Sequence, residues 1–106
     1  MFGNIGDMMK QAQKMQAKMA EVQEMLATLE IEGTAGGGVV KATVDGKGNI
    51  KGLKIDSSLL DPQEGEVLED LVIAALQDAQ KKAEEKASEE MGKVTGGLKL
   101  PGGLKL

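Results

Sequence analysis

Lysine is the only cationic side chain in this sequence, and its spacing is the feature with chemical potential. Lys10, Lys14 and Lys18 recur every four residues, and Lys81, Lys82 and Lys86 form a second group far along the chain. Helix positions four apart share a face, so the first group would make a stripe of ammonium groups able to neutralise phosphate or carboxylate. A solvated helix face with i,i+4 pairing uses lysine in the same way, and composition alone favours that simpler use. No Arg stands among the thirteen basic residues. A lysine ammonium is a point charge rather than a planar fork, so bidentate readout of guanine is not expected. Any anion binding here should be electrostatic and tolerant of sequence.

The absences narrow the function further. With no Cys and no His, disulfides, soft-metal sites and every Cys- or His-based catalytic device are excluded. With no Trp, no Tyr and a single Phe2, no aromatic platform exists for stacking unpaired bases. The glycines fail as a phosphate loop, because a Walker motif needs Gly-Lys-Ser/Thr where this chain has Gly38-Val39-Val40. Adjacent acids such as Glu69/Asp70 and Glu84/Glu85 lie on amphipathic runs, where solvated surface is the ordinary reading. Nothing pairs a nucleophile with a base. An enzyme, a cofactor, a metal site and a small-molecule substrate are therefore not expected.

Net charge is −4, but its distribution says more than its sum. Asp56, Asp61, Glu64, Glu66, Glu69 and Asp70 form an acidic stretch with no lysine in it. Positive charge gathers at the start of the chain, in the middle (Lys41, Lys47, Lys51, Lys54) and towards the C-terminus. At 106 residues the chain is one small domain. No apolar run is long enough to span a membrane, and MFGNIGDMMKQ lacks the basic and apolar blocks of a secretory signal. A cytoplasmic protein is expected.

The elements that must position these lysines follow from hydrophobic period. Ile5, Met8, Ala12, Met15, Met19, Val22, Leu26 and Leu29 recur at alternating spacings of three and four, the seam of a long helix over residues 4–30. Such a helix is roughly 40 Å long, against a radius of gyration near 13 Å for a compact domain of ~100 residues. Part of it must project or lie along a partner. Residues 31–35, 39–44 and 50–55 read as three short strands, joined by Gly36-Gly37-Gly38 and by Asp45-Gly46-Lys47-Gly48-Asn49, both with turn chemistry. Leu53 and Ile55 should share one face. Asp61-Pro62-Gln63-Glu64 carries a helix-start signature, weakened by Gly65, so the continuous second helix is expected nearer Glu66, running to Met91 with Gly92 as its cap. This is an α+β chain of order α-β-β-β-α, with a three-stranded antiparallel meander between two long helices. Residues 1–92 form the domain, and the Gly/Leu/Lys repeat of 93–106 is a flexible tail.

Leu71-Val72-Ile73-Ala74-Ala75-Leu76 is apolar on every side of the second helix. A helix apolar all round must be buried all round, and one small sheet plus one helix cannot do that. Leu71, Val72, Ile73 and Leu76 are accordingly expected at a self-association interface. From these residues, two functions of different class remain open. One is a DNA-binding dimer whose lysines contact phosphates with a steep salt dependence. The other is a coiled-coil, prefoldin-like chaperone or adaptor whose Met-lined helices grip protein partners.

Four stretches taken together go further: MKQAQKMQAKM, GGGVVKATVDGKGNIKGLKID, LEDLVIAALQDAQKKAEE and MGKVTGG. In order and spacing they resemble the YbaB/EbfC family of bacterial nucleoid-associated proteins, over nearly the whole chain. The resemblance implies a tweezer-like homodimer whose helical ends project from a central body. It implies low-specificity binding of double-stranded DNA that alters DNA conformation, and a role in nucleoid organisation and gene regulation. Lys10, Lys14 and Lys18, with Lys81, Lys82 and Lys86, lie in the matching helical stretches. Family members often have Arg near the second group, and its absence here favours non-specific contact.

Overall fold

The structure, a computed structural model, describes residues 2–96; of the flexible tail expected at 93–106, residues 93–96 belong instead to a helix and 97–106 lie outside the described residues. Helix α1 (Phe2–Thr28) leads into strands β1 (Ile31–Ala35), β2 (Val40–Val44) and β3 (Ile50–Ile55), and helix α2 (Gly65–Gly96) closes the chain. The strands form one antiparallel sheet in sequence order. One face of that sheet carries α2.

The connections follow local chemistry. Gly36, Gly37 and Gly38 have φ of 63°, 73° and 99°, a left-handed run that residues with a Cβ avoid. In the β2–β3 hairpin, Asp45 organises the loop from inside. Its carboxylate accepts hydrogen bonds from the Lys47 N–H at 2.8 Å, the Asn49 N–H at 3.0 Å and the Asn49 side-chain amide at 3.1 Å. A buried carboxylate is tolerated there because its acceptors are filled. The same hairpin ends α1: the Gly46 N–H donates to the Leu26 carbonyl at 2.7 Å, satisfying one of the orphan acceptors of the last helical turn.

Helix α2 begins as expected and ends later. Asp61 caps the Gln63 N–H at 3.0 Å, Pro62–Glu64 forms a single 3-10 turn, and the α-helix proper starts at Gly65. It then passes through Gly92 to Gly96. Gly92 is not among the glycines with positive φ, so it continues the helix instead of capping it. A mid-helix Gly costs about 1 kcal/mol relative to Ala, and packing of this last stretch against α1 offsets that cost.

The core is built from small residues. Val40, Ala42 and Val44 on β2 meet Ala75, Ala79 and Ala83 on α2, all fully buried. Alanine at every fourth position gives α2 a flat face, and at Gly33 the helix backbone rests directly on the β1 backbone. Leu71, Val72 and Leu76 pack around this core and are half-buried. Ile73, which points away from it, is 54% exposed.

Two consequences matter for function. Helix α2 lies over β1 and β2 and scarcely touches β3. Leu53 shares the inner face with Ala42, as the alternation required, yet is 47% exposed. The seam of α1 is likewise open: Leu26 is buried, but Ile5, Met8 and Met19 are exposed, Met8 at 67%. The molecule measures 73 × 27 × 16 Å, with a radius of gyration of 20.2 Å, well above the compact value of about 13 Å.

Candidate nucleic-acid interface

Helix α1 runs beside the C-terminal half of α2. Val22 and Met25 of α1 share a cleft with Glu90, Lys93 and Val94 of α2, and Leu26 shares another with Ala83 and Ala87. The two helices are therefore antiparallel, and α1 continues past the region of contact towards its own N-terminus. Lys18 lies at the cleft itself. Lys14 and Lys10 follow one and two turns further out, at a rise of about 6 Å per step, and all three are exposed. The expected stripe thus stands on the projecting part of the molecule. The acidic stretch from Asp56 to Asp70 surrounds the start of α2, at the opposite end of that helix from the cleft.

The second lysine group is less uniform than its sequence suggests. Lys81 is exposed. Lys82 is tied into the fold: its ammonium lies 3.1 Å from the Asp78 carboxylate and donates to the Glu32 carbonyl at 3.3 Å. Lys86 is half-buried. Among the described residues, ion pairs involve only Lys82 and Lys93. The α1 stripe and Lys81 consequently have ammonium groups uncommitted to any carboxylate. Because α1 and α2 are antiparallel, Lys81, Lys82 and Lys86 flank the sheet-side end of α1 rather than Lys10 and Lys14. The structure does not gather the six lysines into one patch.

Lys93 was not singled out by the sequence reading. Expected in the tail, it sits on helix, and it lines the same cleft as Lys18. Its ammonium is 2.9 Å from Glu90 Oε2, 3.5 Å from Oε1, and 4.0 Å from Glu89 Oε1. Bonding to Lys93 holds the Glu90 carboxyl below its ordinary range although burial opposes this, and Glu90 in turn raises Lys93. Lysine three and four residues after a glutamate is the signal that marks such a pair in sequence. The burial of one partner is not visible there.

Of the four residues expected at a self-association interface, Leu71, Val72 and Leu76 are shared with the chain's own core, and Ile73 faces out. Val67, Leu60, Leu53 and Ile50 are also exposed. Among the described residues, no group of three acidic side chains could hold a metal ion, and no helix is long and apolar enough to cross a membrane.

Comparison with known proteins gives the family and the fold. Residues 1–98 match the YbaB/EbfC DNA-binding family. A nucleoid-associated protein of Granulibacter bethesdensis is 57% identical over 103 residues, covering 97% of this chain and 96% of that protein. One from Rhodospirillum rubrum is 52% identical with the same coverage. The fold is similar to the crystal structure of an uncharacterized protein from Helicobacter pylori, with a TM-score of 0.73 and 25% identity over 91% of this chain and 98% of that one.

Proposed function

The chain belongs to the YbaB/EbfC DNA-binding family, and from that premise we propose that it is a nucleoid-associated protein acting as a homodimer on double-stranded DNA, with little sequence preference. The observation that carries this reading is the exposed, unpaired Lys10–Lys14–Lys18 stripe on the projecting part of α1. Lysine ammonium groups neutralise phosphates as point charges and lack the planar fork that reads guanine bidentately. The expected result is low specificity and a steep dependence on salt.

The half-filled helical layer supports the homodimer. Strands lie about 4.8 Å apart and packed helices 8–10 Å, so one helix covers roughly two strands. Helix α2 covers β1 and β2, leaving Leu53 of β3 bare, and turns Ile73 away from its own sheet. A partner's α2, antiparallel to the first, fits that gap and buries Ile73 of both copies. Two sheets then enclose two central helices, and the α1 ends project as paired arms around the duplex. Bending or clamping of DNA by such arms accounts for a role in nucleoid organisation and gene regulation.

A mobility-shift titration over a salt series tests the reading, with Lys10/Lys14/Lys18→Glu as control. Retardation that weakens with salt and is lost on charge reversal is expected. Suppression of client aggregation without retardation of DNA would instead favour the chaperone class.

A further inference from the structure

At the α1–α2 junction lies a buried carboxylate that neither the core nor the lysine stripe requires. Glu90 is only 8% exposed and sits in the cleft lined by Val22, Met25 and Val94, with Lys18 and Lys93 also on its wall. Lys93 donates a hydrogen bond to Oε1 at 3.5 Å, whereas Oε2 has no hydrogen-bond partner of proper geometry, so its 2.9 Å approach to the same ammonium is an ion-pair contact. The two partners differ in exposure: the Lys93 side chain is 65% exposed, the Glu90 side chain 10%. The carboxylate is the floor of the pair and the ammonium its mouth.

Burying a carboxylate is costly, and an apolar residue of similar volume commonly serves stability as well or better. The charge therefore adds nothing to stability that an apolar residue would not supply. Here it lies one helix away from Lys18, the innermost residue of the proposed phosphate-binding stripe. An ammonium has three donors, so Lys93 can meet an approaching phosphate from the solvent side. The carboxylate beneath it repels the same phosphate.

We propose that Lys93 is an additional phosphate-contacting residue and that Glu90 is its built-in counter-ion, which DNA must displace, so that Glu90 holds the affinity of the arm below its maximum. This inference rests on the DNA-binding reading above. It makes Glu90 a tuning residue that does not itself contact DNA.

Fluorescence anisotropy with a labelled duplex, over a salt series, tests it on the full chain as wild type, Glu90→Gln, Lys93→Gln and the double variant. The amide keeps the shape of Glu90 and removes its charge. Glu90→Gln should bind several-fold tighter than wild type. Lys93→Gln should bind several-fold weaker and flatten the plot of log affinity against log salt by about 0.9 per phosphate contact removed. The gain from Glu90→Gln should disappear in the Lys93→Gln background. Circular dichroism confirms that each variant is folded. Lys93 is mostly exposed, so the Lys93→Gln slope remains readable if Glu90→Gln unfolds the junction. An unchanged slope in Lys93→Gln overturns the proposal, as does unchanged or weaker binding by folded Glu90→Gln. If wild type binds and Lys10/Lys14/Lys18→Glu abolishes binding while Lys93→Gln changes nothing, only this inference fails. If wild type does not bind DNA, both readings fail.

Discussion

The carboxylate of Asp78 on α2 accepts a hydrogen bond from the Thr34 N–H of β1 at 3.0 Å. The Thr34 amide points away from β2, since β2 uses its other neighbours in the antiparallel register. One turn further along α2, Lys82 bridges Asp78 and the Glu32 carbonyl. Helix side chains thus occupy two of the outer hydrogen-bonding groups of β1, the Thr34 N–H and the Glu32 carbonyl. A strand edge left bare is a template for unwanted pairing, and α2 covers part of this one.

Asp78 also predicts a pH response. The Thr34 N–H, and then Lys82, hold its carboxyl below the ordinary value of 3.8. A carboxyl depressed in the folded state adds stability that is complete above the unfolded value and is lost as pH falls through it towards the folded one. Thermal unfolding midpoints should therefore stay level from neutral pH to about pH 5 and fall below about pH 4. Asp78→Asn should lower the neutral midpoint and shrink that acid drop, measured by circular dichroism melts across pH.

Gly33 has no room for a side chain. A Cβ there would overlap the Ala79 backbone and come within 2.5 Å of the Ala75 carbonyl oxygen. Both neighbours are helix backbone and cannot rotate aside. Gly33→Ala should destabilise the fold by about 1–3 kcal/mol, the usual cost of overpacking, read as a lower urea midpoint. Gly37→Ala meets no neighbouring atom but carries φ 73°, so its cost is conformational alone.

Ile73 and Leu53 should separate folding from association. Both are about half exposed in the single chain, so Lys at either position can turn its ammonium to solvent and costs the fold less than a core substitution would. Ile73→Lys with Leu53→Lys should convert a dimer to a helical, folded monomer by light scattering at micromolar concentration. A wild-type chain that is already a folded monomer would refute the proposed interface.

The lysines should divide by their partners. Lys81→Glu should weaken DNA binding and reduce the salt slope, because its ammonium is uncommitted. Lys82→Gln should act first on stability, through Asp78 and the β1 edge. Melting curves and anisotropy titrations on the same two variants would read both effects.

Much of the fold was legible in the residues. Heptad spacing marked α1, period-two alternation marked β2 and β3, and glycine and aspartate marked the turns, because each pattern is a property of neighbours in sequence. The resemblance carried the family. The end of α2 was misread, since Gly92 looks like a cap to any local rule and is kept helical by what packs against its last turns.

What the sequence determined by itself is the inventory: two long helices, a small meander, lysine as the sole cationic side chain, and neither Cys nor His. Only the tertiary structure decided how the inventory is spent. It left Ile73 and Leu53 bare while Leu71, Val72 and Leu76 went to the core, and it drew Lys82 into the sheet edge while Lys81 stayed free. It also set Lys93 over a buried Glu90 beside Lys18. The reason is physical: helix and strand periods are fixed by contacts a few residues apart, whereas burial and charge pairing depend on surfaces brought together from distant parts of the chain.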